Sequence, residues 1–76
     1  MKLVVSSDVF QAATGVFETI AVLNKTPQRL ESHLDRIQSS ARALRIPFDR
    51  EKARVIILNT CARLDQDPPA RLRLDL

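Results

Sequence analysis

Tyrosine and tryptophan are absent from this sequence, and only three phenylalanines represent the aromatics. That leaves little on which nucleic-acid bases could stack. A single cysteine, Cys61, excludes an intrachain disulfide. With a single histidine beside it, no Cys/His cluster points to a structural metal. Cys61 lies inside the apolar run ILNTCARL and reads as a small buried hydrophobe. Long apolar runs are missing too: no stretch nears the roughly 18 residues of a membrane span, and MKLVVSSDVF is too weakly apolar for a signal peptide. Nor is there a block of like charge. Nine arginines and three lysines against nine acids give a net charge of +3, well mixed along the chain. This licenses a weak attraction to phosphate-bearing ligands and nothing stronger. The composition suits a reducing, cytoplasmic setting.

What is present is a chain of 76 residues, 45% hydrophobic and 28% charged, which is globular composition. One domain or less fits in that length, and about 60% of the unfolded surface can be buried. LVV at 3–5 predicts a short strand, followed by SSDVFQAAT as a connection of unspecified form. VFETIAVL at 16–23 predicts a strand with Val16, Ile20 and Val22 on one face and Phe17, Ala21 and Leu23 on the other. Two apolar faces predict a central strand covered on both sides, with Glu18 and Thr19 interrupting one face each. NKTP supplies a turn.

Leu30, Leu34, Ile37, Ala41 and Leu44 recur at helical spacing, within roughly 40° of a common line. This helix must stop before Pro47. Asp49 can cap a second helix running to about Leu64, with Ala53, Ile56, Ile57, Thr60, Cys61 and Leu64 inward. DQDPP breaks it. ARLRLDL then alternates strictly as a half-buried strand. The expected fold class is α+β: an antiparallel sheet with two helices packed on one face. The sheet looks unfinished, because a central strand needs more neighbours than the chain supplies.

On the first helix, Arg29, His33, Arg36 and Ser40 share one flank, at roughly 60° to 120° from the apolar line. Gln38, Arg45 and Glu31 hold the other. Most helix flanks of this kind are simply solvated. Yet arginine also binds phosphate through a planar, permanently charged fork of donors. Spacing alone leaves both readings open for Arg36.

GVFETIAVLNKTPQRLESHLDRIQSSARALRIPF resembles the N-terminal region of the class IV pyridoxal-phosphate enzymes, which include branched-chain aminotransferases, D-amino-acid aminotransferases and aminodeoxychorismate lyases. The resemblance runs from the glycine and GVFETI through HLDR to IPF, and extends into ARLRLDL. It implies that residues 1–76 form an incomplete N-terminal domain of a two-domain, homodimeric enzyme. It implies a role for Arg36, the arginine of the His-Leu-x-Arg motif, in binding the phosphate of pyridoxal 5'-phosphate. Phe17 and Thr19 would line the substrate pocket, and Arg73 would meet the substrate carboxylate. Glu18 and His33 would be structural, Glu18 partnered by a basic neighbour in the sheet.

Two departures stand out. Where the family has an aromatic residue and a glycine before GVFET, this chain has Ala12 and Ala13. None of Lys2, Lys25 and Lys52 matches the context of the lysine that forms the Schiff base with the cofactor aldehyde, so the chain alone is not expected to catalyse. Thr19, where branched-chain enzymes often carry glycine, leans toward the lyase or D-amino-acid types. The substrate would be an amino acid or aminodeoxychorismate. The competing reading is a small non-catalytic basic module, structural or nucleic-acid-binding. Its scattered arginines and missing aromatics count against the nucleic-acid version.

Overall fold

The computed structural model describes residues 1–6, 16–64 and 70–76. Ala12, Ala13, Gly15 and the DQDPP break lie outside the described residues, as does most of the SSDVFQAAT connection. Four strands and two helices follow in chain order: β1 (Lys2–Ser6), β2 (Phe17–Leu23), β3 (Thr26–Pro27), α1 (Leu30–Leu44), α2 (Arg50–Ala62) and β4 (Ala70–Asp75). The sheet is antiparallel throughout, with spatial order β1-β4-β2-β3.

β4 takes an interior place because its alternation gives it one wholly apolar side. Leu72 and Leu74 are fully buried, opposite Ile20 and Glu18 of β2 on one side and Val5 and Leu3 of β1 on the other. Ile20 and Val22 lie on the same face of the sheet. Both helices pack there. The core joins Ile20, Val22, Leu72 and Leu74 to Leu34 and Ile37 of α1 and to Ala53, Ile57 and Cys61 of α2. Burying a side chain of leucine or isoleucine size contributes about 1.5–3 kcal/mol, so this layer dominates the stability of the fold. The expected α+β arrangement with both helices on one face is what forms.

Local chemistry fixes the connections. Asn24 and Lys25 both take positive φ, 51° and 60°, the geometry of a two-residue hairpin that brings Leu23 opposite Thr26. NKTP is thus a tight turn plus a two-residue strand that pattern reading alone leaves as turn. α1 ends where Arg45 turns left-handed (φ 57°, ψ 37°) and Ile46 N–H reaches back to Ala41 O at 2.8 Å. Leu44, the last residue before that turn, keeps the helical period yet is exposed, against the pattern-based expectation. Asp49 caps α2 as expected, its carboxylate accepting from Lys52 N–H at 3.1 Å. α2 closes at Ala62, and Leu64 packs on the core from beyond its end.

One expectation needs correction. The second apolar face of β2 was expected to be covered, yet Phe17 is 39% and Leu23 51% exposed. The described helices cover only the other face.

Candidate functional site

Glu18 falls on the helix-covered face of β2, in line with Ile20 and Val22. A carboxylate placed there must find donors or pay for its lost hydration. α1 provides them from one flank, one helical turn apart. His33 Nδ1 lies 2.7 Å from Glu18 Oε1, and Arg36 donates to the same oxygen from Nε at 3.1 Å and Nη2 at 2.9 Å. Nη2 also stands 3.0 Å from His33 Nδ1. Two contacts to one imidazole nitrogen cannot both be hydrogen bonds. The shorter, to a carboxylate, requires Nδ1–H as donor, so Arg36 bonds to Glu18 and only abuts the ring. Burial pushes the Glu18 carboxyl up, but hydrogen bonds from Arg36 and His33 outweigh it and hold the group below its ordinary range.

The three residues differ in exposure. The Glu18 and His33 side chains are 17% and 14% exposed, whereas that of Arg36 is 58% exposed. Its Nη1 has no hydrogen-bond partner among the described residues. The partners of Glu18 thus come from α1 and not from a neighbouring strand. Arg29 and Ser40, on the same flank, make no hydrogen bond or ion pair with this cluster among the described residues.

Phe17, Thr19 and Arg73 come together elsewhere. Thr19 faces Arg73, and Phe17 faces Asp75, across the β2–β4 ladder. Arg73 bonds to Asp75 two residues along, Nε to Oδ1 at 3.1 Å and Nη2 to Oδ2 at 3.1 Å, and its guanidinium carbon sits 5.6 Å from the centre of the Phe17 ring. This group occupies the helix-free face of the sheet. The sequence readings singled out the arginine but not its carboxylate partner. Asp75 was recoverable, since residues two apart on a strand share a face.

Arg36 and the Phe17–Thr19 pair therefore flank the same end of β2 from opposite sides. Between them runs the outer edge of that strand. Ala21 O accepts from Gln28 N–H at 2.8 Å, and Val16 O, of the opposite parity, accepts from Leu76 N–H on the β4 side. By alternation, the peptide groups of Phe17 and Thr19 point outward, along an edge that no described strand pairs before Ala21.

A second charged cluster locks the helices together. Arg50 donates to Asp35, to Gln38 at 2.9 Å and to Glu31 at 3.0 Å, while Arg54 donates to Glu31 and pairs with Glu51. Hydrogen bonds from Arg54 and then Arg50 hold the Glu31 carboxyl down to about 2. All its charges are mutually satisfied, which makes it a helix clamp. One concavity of about 680 Å³ is lined by Pro47–Glu51 and so borders the clamp at Arg50 and Glu51, and one of about 350 Å³ is lined by Met1, Phe48, Lys52 and Ile56 among others. Neither includes Glu18, His33, Arg36, Phe17, Thr19, Arg73 or Asp75. Among the described residues no group of His, Cys, Asp and Glu could hold a metal, and no helix is long and apolar enough to cross a membrane. Cys61 is buried, and burial pushes its thiol up, as suits a packing residue.

Comparison with known proteins bears on this surface. The D-amino-acid transaminase of the chloroplast in Arabidopsis thaliana is 37% identical over 62 residues, covering 79% of this chain and 17% of that protein. The chain thus spans about a sixth of the length of the curated relative it matches. No solved structure matches it. The family model for amino-transferase class IV matches residues 15–76, a span that takes in β2, both helices, β4 and every residue of the two clusters. The chain belongs to the class IV aminotransferase family.

Proposed function

We propose that this chain is the N-terminal portion of a pyridoxal-phosphate-dependent aminotransferase of class IV, acting on amino acids, and that it binds and orients without catalysing alone. Family membership over residues 15–76 carries the proposal. The relative named a D-amino-acid transaminase favours transfer from a D-amino acid over the lyase reaction.

The residues present fit part of such a cofactor. Arg36 offers a permanent charge and outward donors for a phosphate oxygen. The lysine that would carry the cofactor is another matter: Lys2, Lys25 and Lys52 stand on β1, in the hairpin turn and on α2, and all three are exposed. When bound, the cofactor supplies an electron sink for the substrate's Cα. This chain's own contribution is positional. Arg36 anchors phosphate on the helix side of β2. On the other face, Thr19 narrows the space beside the Phe17 ring, and Arg73 keeps its guanidinium stacked where a substrate carboxylate would compete with Asp75. Both groups reach a common ligand only around the unpaired edge of β2, with the missing walls supplied by the rest of a two-domain protein and its partner in a homodimer.

The test compares pyridoxal 5'-phosphate with unphosphorylated pyridoxal. The chain should retain the phosphorylated form preferentially in equilibrium dialysis, and Arg36→Met should abolish the preference. Equal retention of both forms by the unmodified chain would refute the proposal. So would turnover of D-alanine by these 76 residues alone.

A further inference from the structure

Guanidinium groups take oxyanions by one of two edges. The side-on edge pairs Nε–H with one Nη2 proton, and the end-on edge pairs Nη1–H with the other Nη2 proton. In Arg36 the side-on edge is spent. Nε and Nη2 both point at Glu18 Oε1, at 3.1 and 2.9 Å, and His33 Nδ1 fixes that same oxygen at 2.7 Å. Glu18 is rooted on β2 and His33 on α1, so the carboxylate is tied to both layers of the fold. The Arg36 side chain, by contrast, is more than half exposed, and Nη1 has no hydrogen-bond partner among the described residues.

From this geometry we infer that Glu18 and His33 are positioning residues that make Arg36 an end-on receptor for a phosphate monoester. They hold one edge of the guanidinium so that only the outward edge remains for the ligand. This rests on Arg36 being the phosphate contact and adds how the contact is made. Its cost follows from charge. Glu18 neutralises Arg36 and repels an incoming dianion, so the receptor trades affinity for a fixed direction of approach.

The experiment titrates the 76-residue chain with inorganic phosphate and follows the Arg36 Nε–H and Nη–H signals by nitrogen-edited NMR. In the unmodified chain the Nη signals should move while Nε–H keeps its shift and slow exchange. Glu18→Gln removes the opposing charge and leaves only a neutral amide oxygen, a weaker acceptor, on the side-on edge. It should bind phosphate about fivefold to tenfold tighter, the scale of a unit charge removed from a few ångströms away in a water-like dielectric, and Nε–H should now respond. If Nε–H of the unmodified chain moves as strongly as the Nη signals, phosphate displaces Glu18, and the end-on assignment falls while Arg36 survives as the phosphate contact. A folded Glu18→Gln chain that binds no tighter overturns it equally. If Arg36→Met binds phosphate as well as the unmodified chain, the proposed function and this inference fall together. The Nε–H readout needs no substitution, so a variant that fails to fold cannot shield the idea.

Discussion

Arg45 ends α1 in a conformation that suits glycine, and replacing it should stabilise the chain. Its φ of 57° and ψ of 37° lie in the left-handed region, where a side chain costs about 1–2 kcal/mol. The backbone needs that conformation, because it aims Ile46 N–H at Ala41 O (2.8 Å) and Arg45 N–H at Arg42 O (3.2 Å), the paired bonds that close the helix. The side chain itself earns little, being exposed and outside every ion pair described above. Arg45→Gly therefore relieves the strain and keeps both bonds. Against this stands the larger entropy of glycine in the unfolded chain, about 0.4–1 kcal/mol. The net expectation is a gain of about 0.5–1 kcal/mol, or about 2–8 °C in melting temperature for a domain of this size.

Thermal unfolding followed by circular dichroism measures this directly. Arg42, three residues earlier, provides the control. It is exposed too but lies inside the last helical turn, so Arg42→Gly should cost about 1 kcal/mol. The same chemical change should thus have opposite signs three residues apart. Arg45→Gly that melts at or below the temperature of the unmodified chain would refute the conformational argument, whatever Arg42→Gly does.

Two further outcomes follow from single contacts. Asp49→Ala removes the bond to Lys52 N–H that caps α2 and should cost about 1 kcal/mol, read as a lower urea midpoint at unchanged slope, with Asp49→Ser recovering most of it. Glu31 governs part of the acid limb: its folded carboxyl titrates at about 2 against 4.5 for an unperturbed glutamate, so the unfolded state binds the proton first. Its contribution is therefore complete above about pH 4.5 and fades as pH falls toward about 2. Urea midpoints measured across that window should drop less steeply for Glu31→Gln.

Much of the fold was legible because its signals are local. The alternation of ARLRLDL, the four–three spacing from Leu30 to Ala41 and the Asp49 cap each act within a few residues, and each appears where the pattern puts it. The misses involve something beyond the window. β3 is two residues long, and hairpin closure, not propensity, creates it. Leu44 obeys the helical period yet is exposed, as the last residue before the chain turns away. The uncovered face of β2 shows the sharpest limit: Phe17 and Leu23 carry the composition of a buried side, and composition cannot say which partner buries it. At the site, HLDR and FET were visible as separate stretches. That Glu18 meets His33 and Arg36 depends on how α1 crosses the sheet, and no spacing within either segment encodes that crossing.

The exposure of the three partners argues that Arg36 has a purpose beyond satisfying Glu18. A hydrogen bond to a charged group contributes about 1.5–3 kcal/mol where water is excluded, and solvent erodes that figure for an exposed partner. His33 has the shorter contact and is almost as sheltered as Glu18 itself, while more than half of the Arg36 side chain lies in water. Both donors lower the carboxyl, Arg36 first and His33 second. Satisfying the acid, however, calls on one edge of the guanidinium only and leaves the rest of a charged head facing water. The arrangement makes better sense in reverse: Glu18 and His33 form the sheltered base, and the arginine is what they present.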